Sequence, residues 1–128
     1  MPLRNITTDQ APKPFSNYSQ AVVIEGNARI LHVSGQVGAR LDGSIPANEA
    51  EQHELAWANV LAILKAEGMD AGNLVDCHVY ITNPGSVALY REVRDRMLKG
   101  AKPAATLLVV AGLALPSLKV EVAAVAAG

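Results

Sequence analysis

The chain has 128 residues and a formal net charge of −1; half of the residues are hydrophobic and 18% are charged. This composition excludes a disordered polymer, and the absence of any run of like charges excludes electrostatic capture of nucleic acid or of an anionic membrane. A single cysteine, Cys77, excludes an internal disulfide framework and suits a reducing compartment.

The length suggests one domain, residues 1–128, able to bury a core without metal or disulfides. The low charge content points to more buried surface than a small monomer carries, and so to an oligomer. The opening segment MPLRNITTDQAPKPFSNYS is polar and proline-containing, unlike a signal peptide. No apolar segment with helical character reaches the ~18 residues of a membrane span. A cytoplasmic location is the expectation.

In chain order, AVVIEGNARILHVSG predicts a β-hairpin around Gly26-Asn27. In its second arm Leu31, Val33 and Gly35 share one face, with His32, Ser34 and Gln36 on the other. A loop marked by Gly38, Asp42-Gly43 and Pro46 follows. A helix is predicted over Asn48 to Glu67, capped by Asn48 and ended by Gly68. Its apolar stripe runs through Ala50, Glu54, Trp57, Leu61 and Leu64, widened by Ala58 and Val60, with His53 on the surface. LVDCHVYIT is a strand by alternation: Val75, Cys77, Val79 and Ile81 face one way, and Asp76, His78, Tyr80 and Thr82 the other. After an Asn83-Pro84-Gly85 turn, Ser86 caps a second helix with Tyr90, Val93 and Met97 on its stripe and its end at Gly100. Two strands close the chain, about Thr106 to Ala111 and Leu118 to Ala126.

The order β-β-α-β-α-β-β predicts an α+β domain, one mixed sheet with both helices on one face. The other face carries apolar side chains, and an equivalent face of a second copy is the simplest cover for it.

Few residues look chemical. Glu121 alternates with Val120 and Val122 and shares its face with Lys119, Ala123 and Val125. Buried and unpaired, such a carboxylate would suit a general acid or base; the alternatives are an ion pair with Lys119 or another chain, or an edge charge that discourages aggregation. Tyr18, in the polar loop SNYSQ, can offer its hydroxyl to a cleft or pack on the sheet. Ser34-Gly35-Gln36 ends a strand where glycine permits close ligand approach or marks a bulge. The three histidines show no metal-ligand spacing, so no metal site is expected. Cys77 lies on an apolar face, as a buried inert thiol does. Phosphate-binding glycine loops and a serine nucleophile elbow do not occur, so nucleotide cofactors and a serine triad have no support.

Taken in order, NYSQAV (17–22), VSGQVG (33–38), ANVLAILKAEG (58–68), LVDCHVYIT (74–82), YREV (90–93), KPAAT (102–106) and VEVAAVA (120–126) resemble the RidA/YjgF family of reactive intermediate/imine deaminases. The match runs from about Ala11 to Ala126. The resemblance implies a chorismate-mutase-like fold and a homotrimer whose sheets line a central barrel, with three clefts between subunits for a small-molecule ligand. It also implies cofactor-free hydrolysis of enamines and imines, such as 2-aminoacrylate-derived imines, to ketones and ammonia. Residue by residue, it assigns ligand contact to Tyr18, to the strand end Ser34, Gly35 and Gln36, and to Thr106, and it assigns the positioning or activation of water to Glu121.

Two positions depart from the pattern. Deaminases of this family carry Pro-Ala-Arg before Ser or Thr, with the arginine holding the substrate carboxylate; this chain has Pro103-Ala104-Ala105-Thr106. Losing such a bidentate partner typically costs ~2–5 kcal/mol. Val87 stands where the deaminases often place Asn. The expectation is a RidA-like protein that acts weakly, if at all, on 2-imino acids; the alternative is a non-catalytic ligand-binding or chaperone-like trimer. Ribonuclease activity, sometimes attributed to the family, lacks a basic patch to support it.

Overall fold

The computed structural model describes residues 2–128. Six strands and two helices follow one another as β1 (Leu3–Ile6), β2 (Ala21–Ile24), β3 (Ile30–Val37), α1 (Glu49–Ala66), β4 (Leu74–Ile81), α2 (Val87–Leu98), β5 (Ala104–Val109) and β6 (Val120–Ala127). β3, β6, β4 and β5 form one mixed sheet in that order; only the β4–β5 pair is parallel. The α+β expectation holds, with both helices on one face, and the structure adds a strand that the sequence reading lacked.

That strand changes the predicted hairpin. β2 does not pair with β3; it pairs antiparallel with β1, Leu3 opposite Ile24 and Ile6 opposite Ala21. An Arg4–Glu25 ion pair at 3.0 Å and a Glu25 N–H bond to the Pro2 carbonyl extend this ribbon. Gly26, at φ 73°, still turns the chain, but toward β6: Arg29 and Gly128 exchange backbone hydrogen bonds that lengthen the β3–β6 ladder.

α1 begins where its cap predicts. Asn48 Oδ1 accepts the Glu51 N–H at 2.9 Å, Glu49 and Glu51 occupy the first turn, and Gly68 follows the helix at φ 73°. The buried face is rotated from the predicted stripe. It consists of Gln52, His53, Ala56, Trp57, Val60 and Leu64, whereas Ala58 is exposed. Polar side chains explain the difference. Gln52 Nε2 donates to the carbonyls of Pro46 and Ser117, both at 2.9 Å, and its Oε1 accepts from Lys119 N at 2.8 Å, so one buried amide ties two loops to the helix. His53, expected on the surface, is fully buried; neither ring nitrogen, nor Trp57 Nε1, finds a hydrogen-bond partner among the described residues.

Ser86 precedes α2 but makes no side-chain cap; its hydroxyl bonds the Glu49 carboxylate instead and ties the two helices together. α2 ends at Lys99 and Gly100, both at positive φ, and buries Tyr90, Val93, Arg94 and Leu98. The core joins these to Trp57, Val79, Ile81, Val120 and Val122.

Candidate functional site

Sheet register decides where each candidate side chain can point. In β6, Val120, Val122, Ala124 and Ala126 are buried against the helices, and Glu121, Ala123 and Val125 occupy the outer face. Glu121 lies opposite Val37 on one side and Tyr80 on the other. The alternation that set Glu121 apart from its valines is therefore real, and it places the carboxylate half-buried on the sheet face without helices.

A bulge in β3 completes that corner. Val33 pairs with Ala124 but Gln36 pairs with Val122, so one extra residue is accommodated at Ser34-Gly35. The bulge returns Gln36 to Val33's side of the sheet, against the strict alternation expected from sequence. The Gln36 amide donates to the Ser34 carbonyl at 3.0 Å, satisfying a group the bulge takes out of the ladder. Gly35 has its own reason to be glycine: a Cβ there would fall 1.9 Å from Glu121 Oε2. The carboxylate thus lies directly over the Gly35 backbone. No described cation pairs with it; the Lys119 ion pair weighed from sequence does not form. An unpaired carboxylate beside open backbone can hold a water molecule and take its proton.

Tyr18 and Ala105 gather elsewhere. Ala105 pairs with Cys77, so it faces the helical layer, while Thr106 pairs with His78 and lies exposed on the outer face. β5 is an edge strand, so half of its backbone groups have no ladder partner within the chain. The loop before β2 is fastened along this edge. Ser19 N–H bonds the Pro103 carbonyl, its hydroxyl bonds the Lys102 carbonyl, and Asn17 Nδ2 bonds Asp95 at 3.0 Å. The Tyr18 hydroxyl oxygen accepts from Phe15 N at 3.2 Å, which leaves its O–H hydrogen to donate. Tyr18, Ala105 and Leu107 line a cavity of about 230 Å³ together with Tyr90, Arg91 and Arg94.

The structure therefore brings Ser34, Gly35 and Glu121 together, and Tyr18 and Ala105 together, as two separate groups. Within one chain they stand apart, with β4 between β6 and β5. Val87 starts α2, half-buried against the core, in neither group.

The sequence reading left its arginines unplaced, and two of them matter. Arg94 is only 4% exposed. Its Nη2 donates to Ser16 Oγ at 2.7 Å, Nε and Nη2 both reach Asp95 Oδ1, and the guanidinium stands 5.2 Å from the Tyr90 ring centre. Helical spacing from Tyr90 carried the signal, since residues four apart share a face. Burial pushes the Tyr90 phenol up, against the opposing influence of Arg94. Burial likewise pushes the Cys77 thiol up to about 12, which fits the inert reading of that residue.

A larger cavity of about 660 Å³ lies between the C-terminal ends of α1 and α2, walled by Leu61, Met69 and Met97. It contains none of the candidate residues. Among the described residues no cluster of His, Cys, Asp and Glu could hold a metal ion, and no helix is long and apolar enough to cross a membrane.

Comparison with known proteins gives one consistent answer. A family model described as Endoribonuclease L-PSP matches residues 8–128. Protein DfrA of Myxococcus xanthus is 35% identical, over 98% of this chain and 96% of its own. The 2-iminobutanoate/2-iminopropanoate deaminase of Mus musculus is 34% identical, over 94% of this chain and 88% of its own. The crystal structure of the Rid family protein YyfB from Yersinia pestis superposes with a TM-score of 0.87 at 27% identity, covering 98% of each chain.

Proposed function

The chain belongs to the endoribonuclease L-PSP (RidA/YjgF) family, and on that premise we propose that it hydrolyses an imine, enamine or related carbonyl compound, without a cofactor, in clefts between the subunits of a homotrimer. The observation that carries the reading is the Glu121 carboxylate, unpaired and seated over the Gly35 bulge. In the reaction, Glu121 takes a proton from water as the oxygen attacks the C=N carbon. Glu121 passes that proton to the nitrogen, which gives a carbinolamine, and then carries the hydroxyl proton to the nitrogen as the C–N bond breaks, so that ammonia leaves and a ketone remains. The Tyr18 hydroxyl and backbone N–H groups near Gly35 and Thr106 hold the ligand in place.

The homotrimer belongs to the same proposal. Tyr18 and Glu121 are held on different parts of one chain, so a shared cleft needs a second copy. The outer sheet face, where Leu108 is 48% exposed, is the surface such a copy would cover.

The substitution at Ala105 narrows the substrate. With no guanidinium on β5, turnover of 2-iminopropanoate should be poor. Ala105→Arg should raise it roughly 30-fold or more, the equivalent of ~2 kcal/mol. Glu121→Gln should abolish hydrolysis with assembly intact. Ligand retained without product, and unchanged by Glu121→Gln, would establish the non-catalytic binding protein instead.

Ribonuclease action finds no electrostatic support. Four exposed arginines are matched by glutamates, as Arg4–Glu25, Arg29–Glu67, Arg40–Glu51 and Arg96–Glu54, which lowers the positive charge those four offer a phosphate backbone.

A further inference from the structure

The cavity beside Ala105 is not as apolar as the sequence of β5 suggests. Position 105 contributes a methyl group, yet two arginines of α2, Arg91 and Arg94, line the same cavity. Arg94 is pinned: Ser16 and Asp95 fix its orientation, the Tyr90 ring supports it, and Asp95 offsets its charge. Arg91, one helical turn away, is half-buried, lines the cavity, and pairs with no carboxylate among the described residues. The remaining side-chain polar groups lining the cavity are the Ser16, Tyr18 and Tyr90 hydroxyls. No carboxylate lines the cavity, and the Ser16 and Tyr18 oxygens, which already accept from Arg94 and Phe15, leave their hydroxyl hydrogens to donate.

We infer that this cavity is an anion site in which Arg91, oriented beside the fixed Arg94, holds the carboxylate of an organic acid from α2 rather than from β5. An uncompensated guanidinium in a half-enclosed pocket favours a bidentate anion. The size agrees: about 230 Å³ admits a small acid. The inference rests on the proposed cleft and deepens it, because it names the ligand's charged end. It is also consistent with poor 2-imino acid turnover. A cation on α2 fixes the carboxylate at a different point from one on β5, so binding an acid and turning over a 2-imino acid become separable properties.

The test is a binding measurement that needs no turnover. The full-length protein is titrated calorimetrically with 2-oxobutanoate, with 4-oxopentanoate and with the neutral 2-butanone. Wild type should bind at least one of the two acids, and bind it more tightly than the ketone. Arg91→Gln should weaken acid binding about tenfold or more and leave 2-butanone unaffected. Arg91→Lys, which keeps charge but not the fork, should fall between them. Loss of hydrolysis in Glu121→Gln bears on the catalytic reading and not on this one, which is read from acid binding by wild type and the Arg91 variants. Equal binding of acids and ketone, or an Arg91→Gln variant that binds acids as wild type does, overturns the inference even where hydrolysis is observed.

Discussion

Gly35 and Gly38 stand three residues apart in the same stretch, and the same small change at each should have opposite consequences. At Gly35, an added methyl carbon would meet Glu121 Oε2 at 1.9 Å and Cδ at 2.8 Å, the far end of a flexible side chain. At Gly38 it would meet the Cα, Cβ and carbonyl oxygen of Gln52 at 2.5, 2.5 and 2.6 Å, the body of α1. Gly35→Ala can be absorbed if Glu121 Oε2 swings away by about 1.5 Å, from 1.9 Å to an ordinary contact at 3.4 Å. An off-rotamer side chain costs ~0.5–1.5 kcal/mol. Replacing glycine within a strand returns ~0.5–1 kcal/mol through the unfolded chain, and Gly35 has no positive φ to lose. The net stability change is therefore within about 1 kcal/mol, or roughly 5 °C in Tm for a chain of this size. Gly38→Ala has no flexible neighbour to yield. Gln52 is held at both ends of its amide, so the helix itself must shift, at ~1–3 kcal/mol or more.

The activities should separate the other way. A water-handling carboxylate displaced by 1 Å or more loses roughly 100-fold in rate. Gly35→Ala should therefore approach Glu121→Gln in a semicarbazone-trapping assay run on a panel of oxidase-generated imines, while melting near the wild-type temperature. A Gly35→Ala protein with wild-type turnover would refute the role given to Glu121 over the bulge. A Tm loss as large as that of Gly38→Ala would refute the claim that the side chain alone yields.

Two further outcomes follow from buried groups. Burial lowers the pKa of His53, partly opposed by the Glu49 carboxylate, so the unfolded chain takes up a proton near pH 6.5 that the folded chain resists. Stability is then complete above that pH and declines as pH falls, by up to ~1.4 kcal/mol per unit from this group. His53→Leu should flatten urea-unfolding free energies between pH 7 and 5, and an unchanged slope would assign the acid sensitivity to other groups. Cys77, 1% exposed with its thiol pushed up to about 12, should resist a disulfide reagent at pH 8 until urea opens the sheet; rapid labelling of the native protein would contradict its placement.

Much of this architecture could be read from the chain because alternation is a local property. Two-residue periodicity placed Glu121 and its β6 neighbours, and β4 from Asp76 onward, on the correct faces; at the start of β4 a register shift between Leu74 and Asp76 puts Leu74, not Val75, in the core cluster. Periodicity failed at β3, where the bulge inserts one residue and carries Gln36 to the other side; a lone glycine signals a bulge no more than it signals a turn. β1 was missed because four residues, two of them polar, carry too little pattern, and its partner lies some 18 residues away. His53 and Arg94 were misjudged or left unplaced for a shared reason. Helical spacing puts both on buried faces, but a polar identity argues for solvent, and only the tertiary partners of each decide the matter. The placement of Ala105 against the helical layer needed the parallel register with Cys77, which no local pattern reports.

The two groups of candidate residues depend on different parts of the fold, and this bears on how such a protein changes its substrate. Glu121 is positioned by the β3–β6 pairing and by the missing side chain at Gly35; nothing in that arrangement involves residue 105. The second group is built from the β5 edge, the Tyr18 loop and α2, where Arg94, Asp95 and Ser16 form a fixed frame. On the proposed reading, a substitution at 105 would alter what the cleft holds without moving Glu121. With alanine on the strand and Arg91 on the helix, the proposed hydrolytic corner would meet a ligand bound in a different pose. Substrate choice can drift along α2 and β5 while the β3 bulge stays as it is.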